Sequence, residues 1–208
     1  MGGGQIKDDR LSSVHLGLRL VFGYLLDDLN RGVDRGLGKG YNRSMEKRSF
    51  VSPSKGKLTL GEVIGEITAY LEEEPERQYR LIIGTDSHNS TKDHRADFVT
   101  AVVIHRIGRG GRYFWSKKKR ANIVTLRDKI YTETLLSLDL AQKLVPKLQA
   151  YLKPGNGGYE LEIHIDVGEI GPTREMIREV VGMVVGNGFK AKTKPDSYGA
   201  STVADRYT

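Results

Sequence analysis

The stretch Arg80-Leu81-Ile82-Ile83-Gly84-Thr85-Asp86-Ser87 decides how this chain of 208 residues folds. Branched apolar residues from Arg80 to Thr85 predict a short β-strand, and the polar residues Asp86 to Asn89 after it are typical of a turn. Two more strands are predicted, at Phe98 to Ile107 and Arg112 to Ser116, and a glycine-rich turn joins them. The three runs therefore predict an antiparallel meander with an aspartate at the end of its first strand.

Helices and strands alternate outside this meander. Thr59 and Glu62 have the spacing of a capping box, which predicts a helix ending near Pro75. A second, long helix is predicted from about Leu126 to Leu152, because leucine recurs at every fourth position from 136 to 152. Strands are then predicted at Leu161 to Val167 and Phe189 to Thr193, with helices from Pro172 to about Gly186 and from Ser197 onward.

This order of elements predicts an α/β fold. Three antiparallel strands followed by parallel strands give a five-stranded mixed sheet flanked by helices. Residues 50–208 are expected to form this domain, and residues 1–49 a flexible, glycine-rich and basic extension. Within the extension, Leu16 to Leu29 has the pattern of an amphipathic helix. We also consider the hypothesis that translation begins at Met45, which would make the preceding segment a start-site artefact.

Composition restricts the chemistry. The formal net charge of +7 favours an anionic partner, with nucleic acid as the first candidate and a membrane surface as the second. Cysteine is absent, which excludes disulfides, thiolate zinc sites and cysteine nucleophiles. No phosphate-loop or dinucleotide fingerprint follows a strand, so nucleotide cofactors are not expected. The apolar stretch from Leu16 to Leu26 is too short to span a bilayer, and we expect a cytoplasmic protein that does not bind a membrane.

Four carboxylates stand out by their positions. Asp86 and Asp166 fall at the carboxyl ends of the first and fourth predicted strands, where ligands collect in open α/β sheets. Glu133 lies beside the leucine stripe of the long helix, where a lone buried glutamate would be costly. Asp205 lies near the end of the last helix. Four separate elements thus offer oxygen ligands and no softer ones, a set that suits Mg²⁺ or Mn²⁺.

This order of acids on strand, helix, strand and helix resembles the ribonuclease H-like superfamily. More narrowly, Ile83-Gly84-Thr85-Asp86-Ser87, Lys194-Pro195-Asp196-Ser197 and Ala204-Asp205-Arg206-Tyr207-Thr208 resemble the YkuK-type family of uncharacterised bacterial ribonuclease H-like proteins. The resemblance covers about residue 50 to the C-terminus. It implies a nuclease that hydrolyses phosphodiester bonds by a two-metal mechanism, with Asp86, Glu133, Asp166 and Asp205 as catalytic metal ligands for two Mg²⁺ or Mn²⁺ ions. Asp196 is the alternative fourth ligand, because it precedes the final helix.

Other interpretations remain open at this point. Each acid alone has a structural explanation, such as a turn at Asp86 or an ion pair of Glu133 with Lys129. The basic run Lys117, Lys118, Lys119 and Arg120 follows three aromatic residues, which indicates either phosphate contacts beside stacking surfaces or a solvated strand end. A non-catalytic nucleic-acid-binding module and a scaffold of a larger assembly are the alternative functions. RNA, DNA and hybrid duplexes are all open as the nucleic acid.

Overall fold

The structure, a computed structural model, describes residues 49–90, 94–152 and 158–208. All of them lie within the unit that spans Lys39–Thr208. The helix predicted for Leu16 to Leu29 and the start-site hypothesis at Met45 lie outside the described residues. So does the predicted extension, except for its last residue.

The described residues form one seven-stranded mixed sheet, ordered β2-β1-β5-β4-β3-β6-β7. Its strands are β1 (Phe50–Ser52), β2 (Gly56–Leu58), β3 (Tyr79–Ser90), β4 (Arg95–Arg106), β5 (Gly110–Arg120), β6 (Tyr159–His164) and β7 (Lys190–Lys192). Strands β3, β4 and β5 are the predicted antiparallel meander. Strand β6 pairs in parallel with β3, and β7 pairs in parallel with β6. The α/β class and the mixed sheet agree with the sequence analysis.

The strand number and several strand ends differ from the prediction. Strands β1 and β2 add a hairpin to the five predicted strands, and each is only three residues long, too short for an alternating pattern to be visible. Strand β3 continues to Ser90 because β4 pairs with it along its whole length, so the turn predicted at Asp86 is wrong. Strand β6 ends at His164, and Asp166 follows it instead of lying within it.

Four α-helices are described: α1 (Leu60–Glu73), α2 (Leu126–Tyr151), α3 (Ile177–Gly186) and α4 (Tyr198–Asp205). The capping box of Thr59 and Glu62 is present, and a second one formed by Thr125 and Asp128 begins α2. A 3₁₀ turn at Arg174–Met176 precedes α3, where the sequence had predicted helix from Pro172. In the ranges given above, no helix has the length and apolarity that a membrane span requires.

The two faces of the sheet are covered by different helices. Thr85 and Ser87 of β3 hydrogen-bond to side chains of α2. Gly84 comes directly before Thr85 in β3. It faces α4, because neighbouring residues of a strand point to opposite faces. A Cβ at Gly84 would lie 2.6 Å from the Cβ of Ala200. Glycine at this position therefore allows α4 to lie directly on β3.

Candidate active site

The candidate site lies where β6 ends beside β3. Pairing between these parallel strands stops at Gly84 and His164, so β3 projects past the end of its neighbour. Asp86 lies on this projecting part, and Asp166 follows two residues after β6 ends. Each of these aspartates therefore lies two residues past the last parallel pair of β3 and β6, at the edge where an α/β sheet usually binds ligands.

Asp86 reaches this edge from the α4 face of the sheet. Its side chain is half-buried and shares the face of Gly84, while Asp205 is the last residue of α4. Burial raises the pKa of Asp86, and the carboxylates of Asp166 and Asp205 raise it further. The backbone N–H of Ser87 and the ammonium of Lys129 act in the opposite direction. The charges of three aspartates therefore act on one another here.

Glu133 reaches the same edge from the α2 face. Its side chain is buried, with 2% of the residue exposed, and the hydroxyl of Ser87 donates a hydrogen bond of 2.7 Å to Oε1. Burial raises the pKa of Glu133 to about 8, an effect that Asp86 and Asp166 increase and that Lys129 and Ser87 oppose. Because Asp86 and Ser87 are consecutive in β3, Asp86 and Glu133 approach from opposite faces of the strand.

We call Asp86, Glu133, Asp166 and Asp205 the acid centre. The charges of Asp166 and Asp205 act on Asp86, and those of Asp86 and Asp166 act on Glu133. Yet across residues 49–90, 94–152 and 158–208 no three acidic or histidine side chains are grouped closely enough to hold a metal ion. Two of the acids, Glu133 and Asp166, contact lysines instead. The type of donor nevertheless fits a hard divalent cation, because carboxylate oxygens are the ligands that Mg²⁺ and Mn²⁺ prefer.

Two lysines supply positive charge to the acid centre. Lys194 Nζ lies 2.8 Å from Asp166 Oδ1, and Lys129 Nζ lies 3.8 Å from Glu133 Oε1. The Lys129–Glu133 pair was the structural explanation that the sequence offered for Glu133. The structure adds that the same lysine ammonium also acts on Asp86, so this pair is part of the acid centre and not a separate surface contact.

Asp205 and Asp196 occupy different surroundings. Asp205 is one of the charges that raise the pKa of Asp86. Asp196 is exposed in the loop before α4, and its Oδ2 lies 3.6 Å from the Nζ of Lys192. Asp205 is thus associated with Asp86 through its charge, whereas Asp196 has a lysine partner of its own.

The basic run at the end of β5 divides between the two faces of the sheet. Lys117 and Lys119 are exposed, whereas Lys118 and Arg120 are half-buried on the opposite face. Lys117 Nζ lies 2.9 Å from Asp97 Oδ2. Through β4, Lys117 is in register with Asp86, two strands and about 10 Å away. The run therefore lies beside the acid centre.

The aromatic residues that precede the basic run pack against other parts of the protein. Trp115 stacks on Tyr207 with ring centroids 4.4 Å apart, and the hydroxyls of Tyr113 and Tyr207 are 2.9 Å apart. Phe114 is buried on the other face. These contacts hold Tyr207, two residues after Asp205, against β5.

The polar residues that join β3 to α2 beside the acid centre were not predicted from the sequence. Ser87 bonds Glu133, and Thr85 shares hydrogen bonds with Thr100 and with Ser137 of α2. The available signal was the alternation of hydroxyl residues at 85 and 87 in a strand that must face a helix. The contact between Lys194 and Asp166 had no such signal, because it joins two loops that are distant in sequence.

Comparison with known proteins gives two matches. The family described as Ribonuclease H-like matches residues 62–208. The protein named "Uncharacterized protein YkuK" from Bacillus subtilis (strain 168) is 34% identical over 170 residues, which cover 76% of this chain and 96% of that protein. No solved structure matches the chain.

Proposed function

Because the chain belongs to the YkuK-type family of ribonuclease H-like proteins, we propose that it is a metal-dependent nuclease that hydrolyses phosphodiester bonds. Ribonuclease H-like proteins are generally associated with nucleic acids. The observation that carries the proposal is the burial of Glu133 within the influence of the charges of Asp86 and Asp166, which raise its pKa. A buried glutamate near two other acids destabilises a fold, so a functional reason for keeping it is expected.

In this proposal Asp86, Glu133, Asp166 and Asp205 hold the metal, with Asp205 preferred to Asp196 for the reason given above. Bound Mg²⁺ or Mn²⁺, two ions in the mechanism proposed, would supply the acidity that activates a water and the charge that stabilises the leaving oxygen.

The chain's own contribution is to fix the acids in place. Three of them are carried by regular structure or directly follow it, on β3, on α2 and at the end of α4. Ser87 holds the Glu133 carboxyl through its hydrogen bond, so that this side chain cannot turn away from the other acids. Rigid placement of this kind is what positioning of reacting groups requires.

A non-catalytic nucleic-acid-binding module is the second candidate. The exposed side chains of Lys117 and Lys119 favour this candidate, because they lie on β5, which is separated from the strand of Asp86 only by β4. Such a module would bind nucleic acid with strong salt dependence and would be indifferent to the loss of Asp86.

A cleavage panel distinguishes the two candidates. Labelled single-stranded RNA, single-stranded DNA, both duplexes and an RNA–DNA hybrid are incubated with the full chain and Mn²⁺. Asp86→Asn is run beside Asp139→Asn, a matched change of an aspartate in α2 that pairs with Lys143. We expect cleavage of at least one substrate, its loss in Asp86→Asn and its retention in Asp139→Asn. Equal cleavage by both variants would refute the proposal, and inert substrates that still bind would favour the binding module.

A further inference from the structure

Lys194 lies beside the acid centre on its solvent side. Its backbone N–H donates a hydrogen bond of 2.8 Å to the carbonyl of Val167, which fixes the loop between β7 and α4 against the residues that follow β6. A Cβ built on Gly168 would lie 3.2 Å from the Lys194 Cβ, so the lysine backbone and the loop after Asp166 are closely packed. The side chain itself is 58% exposed while its Nζ contacts Asp166. The backbone of Lys194 is thus held in place, whereas its exposed ammonium is free to change partners.

Lys129, the other lysine that contacts an acid of the centre, is less exposed than Lys194. The Lys129 side chain is 24% exposed, and its partner Glu133 is almost wholly enclosed. Its ammonium therefore stays with buried carboxylates. Only Lys194, of these two, combines contact with an acid of the centre and exposure to the solvent from which a nucleic acid would arrive.

A divalent ion and a lysine ammonium compete for the same carboxylate oxygen. When an ion takes Asp166, the ammonium loses its partner and needs another anion, and a phosphodiester brings one to the same place. We propose that Lys194 is a substrate-binding residue, which pairs with Asp166 in the free protein and with a non-bridging phosphate oxygen when nucleic acid is bound. This inference rests on the proposed function, because it assumes that metal and phosphate meet at the acid centre.

The inference predicts opposite effects of one substitution on two ligands. Lys194→Met should bind Mn²⁺ about threefold more tightly in calorimetry, since an exposed ion pair no longer competes for Asp166. The same variant should bind nucleic acid more weakly. With single-stranded RNA and an RNA–DNA hybrid as labelled probes and Ca²⁺ as the ion, the slope of log Kd against log salt should fall by about 0.7 to 0.9, the value of one lost phosphate contact.

Two variants serve as controls. Lys143→Met removes an ammonium that pairs with Asp139 on α2, ten residues and about 15 Å along the helix from Glu133, and should leave both ligands unaffected. Lys194→Arg keeps the charge and should retain the salt slope of the wild type. A loss of folding alone would not produce tighter Mn²⁺ binding, so the paired readouts separate the proposed role from a structural one.

The outcomes separate this inference from the proposed function. If the wild type binds Mn²⁺ through Asp86 but Lys194→Met behaves like Lys143→Met with either ligand, the inference is wrong and the proposed function stands. If the wild type binds no Mn²⁺, the proposed function fails and the inference fails with it.

Discussion

Replacement of Glu133 by glutamine is expected to stabilise the protein at neutral pH while removing its metal-dependent activity. The glutamate is buried and receives one hydrogen bond from Ser87, which a glutamine oxygen can also accept. Glutamine carries no charge at any pH, so it avoids the cost of protonating a carboxylate, or of burying its charge, when the protein folds. The two effects together would identify Glu133 as a residue kept for function at the expense of stability.

The magnitude follows from the proton that Glu133 keeps. Its pKa is about 8 in the folded protein against an ordinary value of 4.5. Since the folded pKa is raised, the stability that this proton contributes is complete below about pH 4.5 and is lost as the pH rises towards 8. Each pH unit in that window costs ~1.4 kcal/mol, so at pH 7 the loss is on the order of 3 kcal/mol. In a domain of this size that corresponds to a difference in Tm on the order of 10 °C.

The assay is thermal unfolding of the full chain in EDTA at pH 5, 7 and 8. The advantage of Glu133→Gln over the wild type should be small at pH 5 and should grow with pH, whereas Glu72→Gln, a change of an exposed glutamate on α1, should stay within about 0.5 kcal/mol of the wild type. Excess Mn²⁺ should then raise the Tm of the wild type and leave Glu133→Gln unchanged. An advantage that does not grow between pH 5 and pH 8 would refute the reasoning about burial.

Two further predictions concern the fold. Gly84→Ala would place a Cβ 2.6 Å from Ala200 and should cost about 1–3 kcal/mol in urea unfolding, whereas Gly65→Ala, with open space on α1, should be neutral or stabilising; equal stabilities would contradict the close approach of α4. Arg106→Met removes a guanidinium, 9% exposed, that bonds two carboxylates and a tyrosine hydroxyl. It should lower the free energy of unfolding by about 2–4 kcal/mol without slowing cleavage. A loss of cleavage in the folded variant would contradict the view that this ion pair serves only stability.

Much of the fold could be predicted because its signals are local and strong. The capping box at Thr59, the leucine stripe of α2 and the glycine-rich turn between β4 and β5 each specify an element through neighbouring residues. The structure pairs the first and fourth predicted strands, β3 and β6, in parallel. That adjacency brings Asp86 and Asp166, which the sequence places after these two strands, to the same edge of the sheet.

What the sequence did not predict depends on partners distant in the chain. Residues 86–89 have the composition of a turn, but pairing with β4 keeps them extended. Strands β1 and β2 are each too short to show a pattern and exist because β5 pairs with β1 and β1 with β2. The contacts of Asp166 with Lys194 and of Glu133 with Ser87 are likewise set by tertiary packing, so composition could suggest the acids but not what holds them.

The measurement that tests the proposed function most directly is the rate of Mn²⁺-dependent cleavage by five single variants. These are Asp86→Asn, Glu133→Gln, Asp166→Asn, Asp205→Asn and Asp196→Asn, each checked for folding by circular dichroism. Residues that act as one unit lose activity together, so each of the first four should fall by about 100-fold or more, with Asp196→Asn near the wild type. A folded Asp86, Glu133, Asp166 or Asp205 variant that cleaves at the wild-type rate would contradict the acid centre as the catalytic site.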